Sequence, residues 1–193
     1  MLPMIRNAQL RQIGTEAAAN RTAVLALAEG LSEEQLLWRD ESRRWSMAQI
    51  LDHLKKSVEV CTPAVAKAIA DAKREGRLSD GPFEQGIIGK IFLWYIEPPV
   101  KFRVPAPWPL RPKVRGSAQH ALPDYLRTHA ENLSRLEAAD GVDLRRARFM
   151  SPFLGVVPMD LLSLFCVWTS HERRHIDQMQ RVREQLGARQ PSL

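Results

Sequence analysis

His171 and His175 stand four positions apart in the run His171-Glu172-Arg173-Arg174-His175. An α-helix rises about 1.5 Å per residue and turns once in about 3.6 residues, so side chains at that spacing stack on one face. Two imidazoles so placed reach a single metal ion. The same face carries Leu164, Trp168, Gln178 and Val182, which turns it towards a protein interior. Histidines buried there need a partner, because an unpartnered buried polar group is costly. A divalent metal is the economical partner, and a third ligand is then the residue to find. His53 and His129 each lie on or beside an apolar helical face and are the two candidates, whereas His120 falls in a loop-like stretch. A lone histidine on an apolar face is more often a core residue bonded to a backbone carbonyl, and spacing does not separate the two.

The elements that must position these rings are helices. From Ile5 to Leu31 the residues Ile13, Ala17, Val24, Leu27 and Leu31 trace one stripe, with Gly30 placed to end it. Ser32 to Gln35 starts a short turn that returns Leu36, Leu37 and Trp38 to the core, and Arg39 to Arg44 reads as a loop. Ser46 and Gln49 form a capping-box pattern that opens helix two. Its stripe runs through Ile50, Leu54, Val58, Cys61, Val65 and Ile69, with His53 two turns in. Pro63 predicts a kink or a break. Helix three begins near Ser117 or at Leu122-Pro123, lines one face with Leu122, Leu126, His129, Leu133 and Leu136, and ends at Asp140-Gly141. After a loop through Pro152 and Gly155, Pro158 is expected to open helix four, which runs to about Leu186, with Gly187 and Pro191 closing the chain.

Between helices two and three, residues 78–116 carry seven prolines around one apolar piece, Gly86 to Ile96, long enough for about three helical turns. A connection of this length inside one domain is often functional. The tail from Val100 to Arg115 holds Lys101, Arg103, Arg111, Lys113 and Arg115 without an acid, interleaved with Phe102 and Trp108. We read it as a flap over the bundle end or a subunit contact in preference to a nucleic-acid patch, and the apolar piece as a homodimer contact. Four amphipathic helices without strand alternation predict an all-α four-helix bundle, one domain over residues 1–193, with a proline-rich insertion at 78–116.

Composition agrees. Apolar residues are 45% and charged residues 26% of 193, the balance of a globular domain with one core. The formal charge of +6 bears on association and solubility rather than on fold. Cys61 and Cys166 lack metal or redox spacing and read as small buried hydrophobes. No signal pattern opens the chain and no run approaches the roughly 20 apolar residues of a membrane span, so a cytoplasmic location is expected.

Read together, Trp45-Ser46-Met47-Ala48-Gln49-Ile50-Leu51-Asp52-His53-Leu54 and His171-Glu172-Arg173-Arg174-His175-Ile176-Asp177-Gln178 resemble the two signature segments of the DinB-like (DinB/YfiT) superfamily. The resemblance extends over nearly the whole chain. It implies a four-helix bundle in which one histidine of the second helix and a pair on the last helix hold a divalent metal, usually zinc or nickel. Carried over by position, these are His53, His171 and His175, while His129 returns to its core reading. It also implies, for members with assigned activities, transferases and isomerases that use low-molecular-weight thiols.

Three neutral imidazoles leave the charge of a divalent ion uncompensated and keep one position of a tetrahedral site open. A water there has its pKa lowered towards 7, and a thiol ionises to the nucleophilic thiolate. Glu172 is the candidate catalytic residue, as a proton acceptor or a carboxylate supporting the ligands; the plainer reading is a solvated Glu172 paired with Arg173 or Arg174. The literal H-E-x-x-H string also raises a zincin-type protease, but that needs a ligand downstream, and Glu184 alone is placed for it. We therefore expect a metal-dependent enzyme acting on a small molecule, of the thiol S-transferase or isomerase type. The alternatives are a non-catalytic or stress-associated metal-binding protein and a metal-dependent hydrolase.

Overall fold

A computed structural model describes residues 5–40, 44–99, 105–114, 117–152 and 157–188. Helix α1 (Ala8–Ala28) starts three residues later than its stripe suggested, because the Asn7 side chain accepts from the Leu10 amide and fixes the first turn. It stops at Ala28, and Gly30 follows with φ 68°, the left-handed conformation that glycine takes most cheaply. Helix α2 (Glu33–Leu37) is a short turn with its own capping box between Ser32 and Gln35.

The expected second helix is two. α3 (Met47–Glu59) begins at the Ser46–Gln49 box, where the Gln49 amide donates to Ser46 Oγ and the Ser46 amide to Gln49 Oε1. α4 (Thr62–Arg74) restarts the stripe after a break at Val60-Cys61, with Pro63 in its first turn, where the missing N–H costs nothing. α5 (Ile87–Ile96) is the apolar piece of the connection, and α6 (Ala121–Ala138) and α7 (Leu161–Ala188) complete the bundle. The four main rods are α1, α3 with α4, α6 and α7; α1 and α5 pack on α7, and α3 packs on α6.

Pro158 does not open the last helix. It lies in a short strand, β2 (Pro158–Asp160), antiparallel to β1 (Arg148–Met150) with Phe149 opposite Met159. The helix starts instead after Asp160, whose carboxylate accepts from the amides of Ser163 (2.9 Å) and Gly86 (3.1 Å). One carboxylate thus caps α7 and ties the start of α5 to it. α5 then lies so close that a Cβ at Gly89 would overlap the Ser163 side chain.

The core divides into two clusters. One gathers Leu10, Ile13, Val65, Leu136, Phe165 and Trp168; the other gathers Val24, Met47, Ile50, Tyr125, Met179 and Val182. α7 contributes to both, and His171 and His175 lie on it between Trp168 and Met179. Cys61 is buried, Cys166 half-buried, and both are free thiols. Among the described residues no helix is long and apolar enough to cross a membrane. Lys101, Phe102, Arg103 and Arg115 of the basic tail, and the loop position Gly155 and the closing Pro191, lie outside the described residues.

Candidate metal centre

The capping box decides where His53 points. With the register of α3 set at Ser46, His53 falls two turns on and is 3% exposed, facing α7. Its Nε2 lies 3.2 Å from Nε2 of His171, and Nε2 of His175 lies 3.1 Å from the same atom. One ligand atom from each ring falls within 4.8 Å of the other two, and no fourth histidine, cysteine or carboxylate joins them among the described residues. Trp45, the residue before the cap, closes one side; its ring is 4.7 Å from His53 and stacks at 6.0 Å on His175.

The far nitrogens settle which atoms carry protons. Nδ1 of His53 is 2.8 Å from the Leu110 carbonyl, which only accepts, so Nδ1 donates and Nε2 presents a lone pair. Nδ1 of His175 donates to Gln178 Oε1 at 2.9 Å, with the same result. Burial holds His53 and His175 below the ordinary histidine value, and burial with His53 and Arg174 pushes His171 down to about 3. Lone pairs crowded in this way repel unless a cation lies among them. A proton on His171 would serve one neighbour and not both. Nitrogens bound to a tetrahedral zinc ion at about 2.0–2.1 Å stand roughly 3.3 Å apart, close to the separations here. The donor set therefore fits a divalent ion.

Glu172 is not solvated, and it does not pair with its arginine neighbours. It is 2% exposed; Oε1 accepts from Tyr125 Oη (3.1 Å) and Trp168 Nε1 (3.1 Å), and Oε2 from Asn20 Nδ2 (3.2 Å). Burial pushes its carboxyl up to about 8, against three donors that favour the ionised form. Arg173 turns the other way, to Glu16 (2.9 Å) and Glu97 (2.8 Å), and so ties the end of α5 to α1 and α7.

His129 is a core histidine, its Nε2 3.1 Å from the Ala17 carbonyl and its basicity lowered to about 4 by burial. His120 is exposed at the start of α6, and Glu184 is exposed and outside the cluster.

Three contributors escaped sequence reasoning. Leu110 acts through a backbone carbonyl, which leaves no trace in residue type. Asn20 and Tyr125 do leave one, since each sits in a row of core-facing positions and a polar group there needs a partner. The proline-rich connection also packs on α3, with the Lys113 amide donating to Asp52 (2.8 Å) and Lys56 Nζ to the Arg111 carbonyl (3.1 Å).

The three rings open on a cleft of about 1060 Å³ whose walls include Phe92, Leu164 and Trp168 on one side of them and Arg181 and Gln185 on the other. In a comparison with known families, residues 16–179 match the family described as the DinB superfamily. No curated protein and no solved structure matches the chain.

Proposed function

The chain belongs to the DinB superfamily, a metal-binding family, and on that premise we propose a divalent-metal-dependent enzyme of the thiol S-transferase or isomerase type. His53, His171 and His175 hold the ion, and zinc or nickel suits imidazole donors. The observation that carries the reading is the meeting of three Nε2 atoms, two of them stripped of protons by partners at their far nitrogens. When bound, the ion supplies Lewis acidity, lowering the pKa of a protic ligand in its open position.

The chain's own residues supply the rest. The Leu110 carbonyl and Gln178 fix ring orientation and tautomer, the supporting contacts that metal-binding histidines ordinarily have. Glu172 serves as a positioning residue, since both its oxygens are engaged by Asn20, Tyr125 and Trp168 and hold α7 in rotation against α1 and α6. The lack of a fourth donor among the described residues favours a catalytic over a closed structural site. The cleft, at about 1060 Å³, lies just above the roughly 300–1,000 Å³ usual for small-molecule sites, which leaves room for a low-molecular-weight thiol beside an electrophile.

The test is elemental analysis of the purified protein and of His175→Ala, followed by assay of the loaded protein with a panel of small thiols and an electrophilic acceptor. One divalent ion per chain, lost in the variant together with thiol consumption, supports the reading. Metal retained by the variant, or thiol turnover independent of metal, overturns it.

A homodimer is part of the same proposal. Ile87, Ile91 and Trp94 are 77%, 62% and 57% exposed along the outer face of α5, a row suited to a second copy of this chain. Light scattering that gives the mass of one chain contradicts it.

A further inference from the structure

The cleft has two unlike ends. Towards the start of α7 its walls are Cys61, Val65, Phe92, Leu164 and Trp168; beyond His175 it meets Arg181 and Gln185. The rings of His53, His171 and His175 lie between, because Trp168 is about one helical turn ahead of His171 and Arg181 follows His175.

One side chain is out of character at the apolar end. Asn132 of α6 is 7% exposed, lines the cleft, and its side chain makes no hydrogen bond with any described residue. The polar groups near it are engaged elsewhere. Glu172 accepts from Asn20, Tyr125 and Trp168; His129 bonds the Ala17 carbonyl; Thr128 donates to the Asp124 carbonyl. With no partner among the described residues, this amide depends on whatever fills the cleft. In the free protein, solvent in the cleft meets the amide. A ligand that displaces this solvent must bring a group of its own.

We propose that the inner end of the cleft selects an uncharged small molecule with an apolar body and one hydrogen-bonding group, a carbonyl, amide or hydroxyl, which Asn132 engages. This rests on the reading of the cleft as the substrate site and deepens it by naming the substrate class. Charge is disfavoured because none of the described residues that form this end, Cys61, Val65, Phe92, Asn132, Leu164 and Trp168, is ionised, and Glu172 beside them has its oxygens taken. An ionic group would be desolvated there without a counter-ion.

The experiment is calorimetric titration of the whole protein, as purified and after chelator treatment, with hexanamide, hexanoate and hexylamine. The ranking is read on chelator-treated protein, where a carboxylate has no ion to bind. Hexanamide is expected to bind at least about tenfold tighter than either charged probe, and Asn132→Leu to weaken it by about tenfold, the scale of one lost hydrogen bond. Val65→Phe, which fills the pocket, is expected to abolish binding. Equal affinity for the three probes overturns the proposal, and so does hexanamide binding unchanged by Asn132→Leu. The wild-type ranking needs no variant to fold. If the ranking holds in a protein that elemental analysis shows to be metal-free, the metal reading falls and this one stands. If metal is present and the ranking fails, this proposal alone falls.

Discussion

Nε2 of His53 and Nε2 of His171 lie 3.2 Å apart, although 118 positions separate them in the chain. The contact depends on two local devices that act at a distance from it. Ser46 sets the register of α3, and Asp160 sets the start of α7. Each helix then carries its histidine to the cleft by counting turns, so the site inherits its geometry from two caps.

Removing one ring should empty the site. His53→Ala, His171→Ala and His175→Ala are each expected to lower bound metal at least about tenfold, since two imidazoles bind a divalent ion far more weakly than three. Inductively coupled plasma analysis of dialysed protein reads this directly. Retention of a full equivalent by His53→Ala would show that α3 contributes no ligand.

Acid should weaken the metal-free fold. His53, His129, His171 and His175 all have folded values below the ordinary one, about 4 for His129 and about 3 for His171. Between pH 6.5 and about 4 the unfolded chain therefore binds more protons at these four positions, and stability present above pH 6.5 is lost as pH falls. Glu172, raised to about 8, acts in the opposite sense, its contribution being present below the ordinary carboxyl value and lost as pH rises through 8. One such group does not offset four. Urea denaturation of chelator-treated protein is expected to give a lower midpoint at pH 4.5 than at pH 7.5, corresponding to a loss of unfolding free energy on the order of 1–3 kcal/mol. An unchanged midpoint would contradict the burial of these rings in neutral form.

Metal retention should follow the same direction, because an imidazole must be unprotonated to bind. Because burial holds His53 and His175 below the ordinary histidine value and His171 at about 3, occupancy after dialysis is expected to hold through pH 5.5 and to fall only as the pH approaches those folded values. Loss of the ion already at pH 6.5 would contradict a site whose rings are held in the neutral form.

The buried carboxylate offers a stability test. Glu172→Ala leaves Tyr125 Oη and Trp168 Nε1 without an acceptor and Asn20 Nδ2 with the Thr169 carbonyl alone, at about 1–3 kcal/mol for each buried group left unsatisfied. Glu172→Gln keeps one carbonyl acceptor and is expected to cost less, and Tyr125→Phe about 1 kcal/mol. Chemical denaturation orders the three. If Glu172→Ala costs no more than Glu172→Gln, the network does not hold α7.

Close packing at α5 predicts a fifth effect. Gly89→Ala places a methyl group on Ser163, and overpacking of this kind costs about 1–3 kcal/mol. Limited proteolysis should cut within or beside α5 faster in the variant than in wild type. Equal rates would mean that α5 accommodates the methyl without leaving α7.

Much of this arrangement is written in residue types, and the reason is that helices count. The Ser46–Gln49 box, the stripe through Ile50 and Leu54, and the four-residue step from His171 to His175 specify faces once the period is known. The break ahead of Pro63 follows from a missing amide. Other features depend on partners that sequence does not name. The Leu110 carbonyl reaches His53 from a proline-rich connection whose path no periodicity describes. Pro158 suits a first helical turn as well as a strand end, and the competing cap, Asp160, decides for the strand. Glu172 beside two arginines reads as a surface residue until α1 and α6 are in place and bring Asn20 and Tyr125 to it.

The central claim is that rings from α3 and α7 share one ion and leave part of its coordination to an exogenous ligand. X-ray absorption spectroscopy of the metal-loaded protein tests it most directly. The account predicts three imidazole ligands and one light, exchangeable ligand, with no sulfur from the protein. A spectrum that requires a thiolate of Cys61 or Cys166, a fourth protein ligand, or a coordination shell without histidine would contradict it.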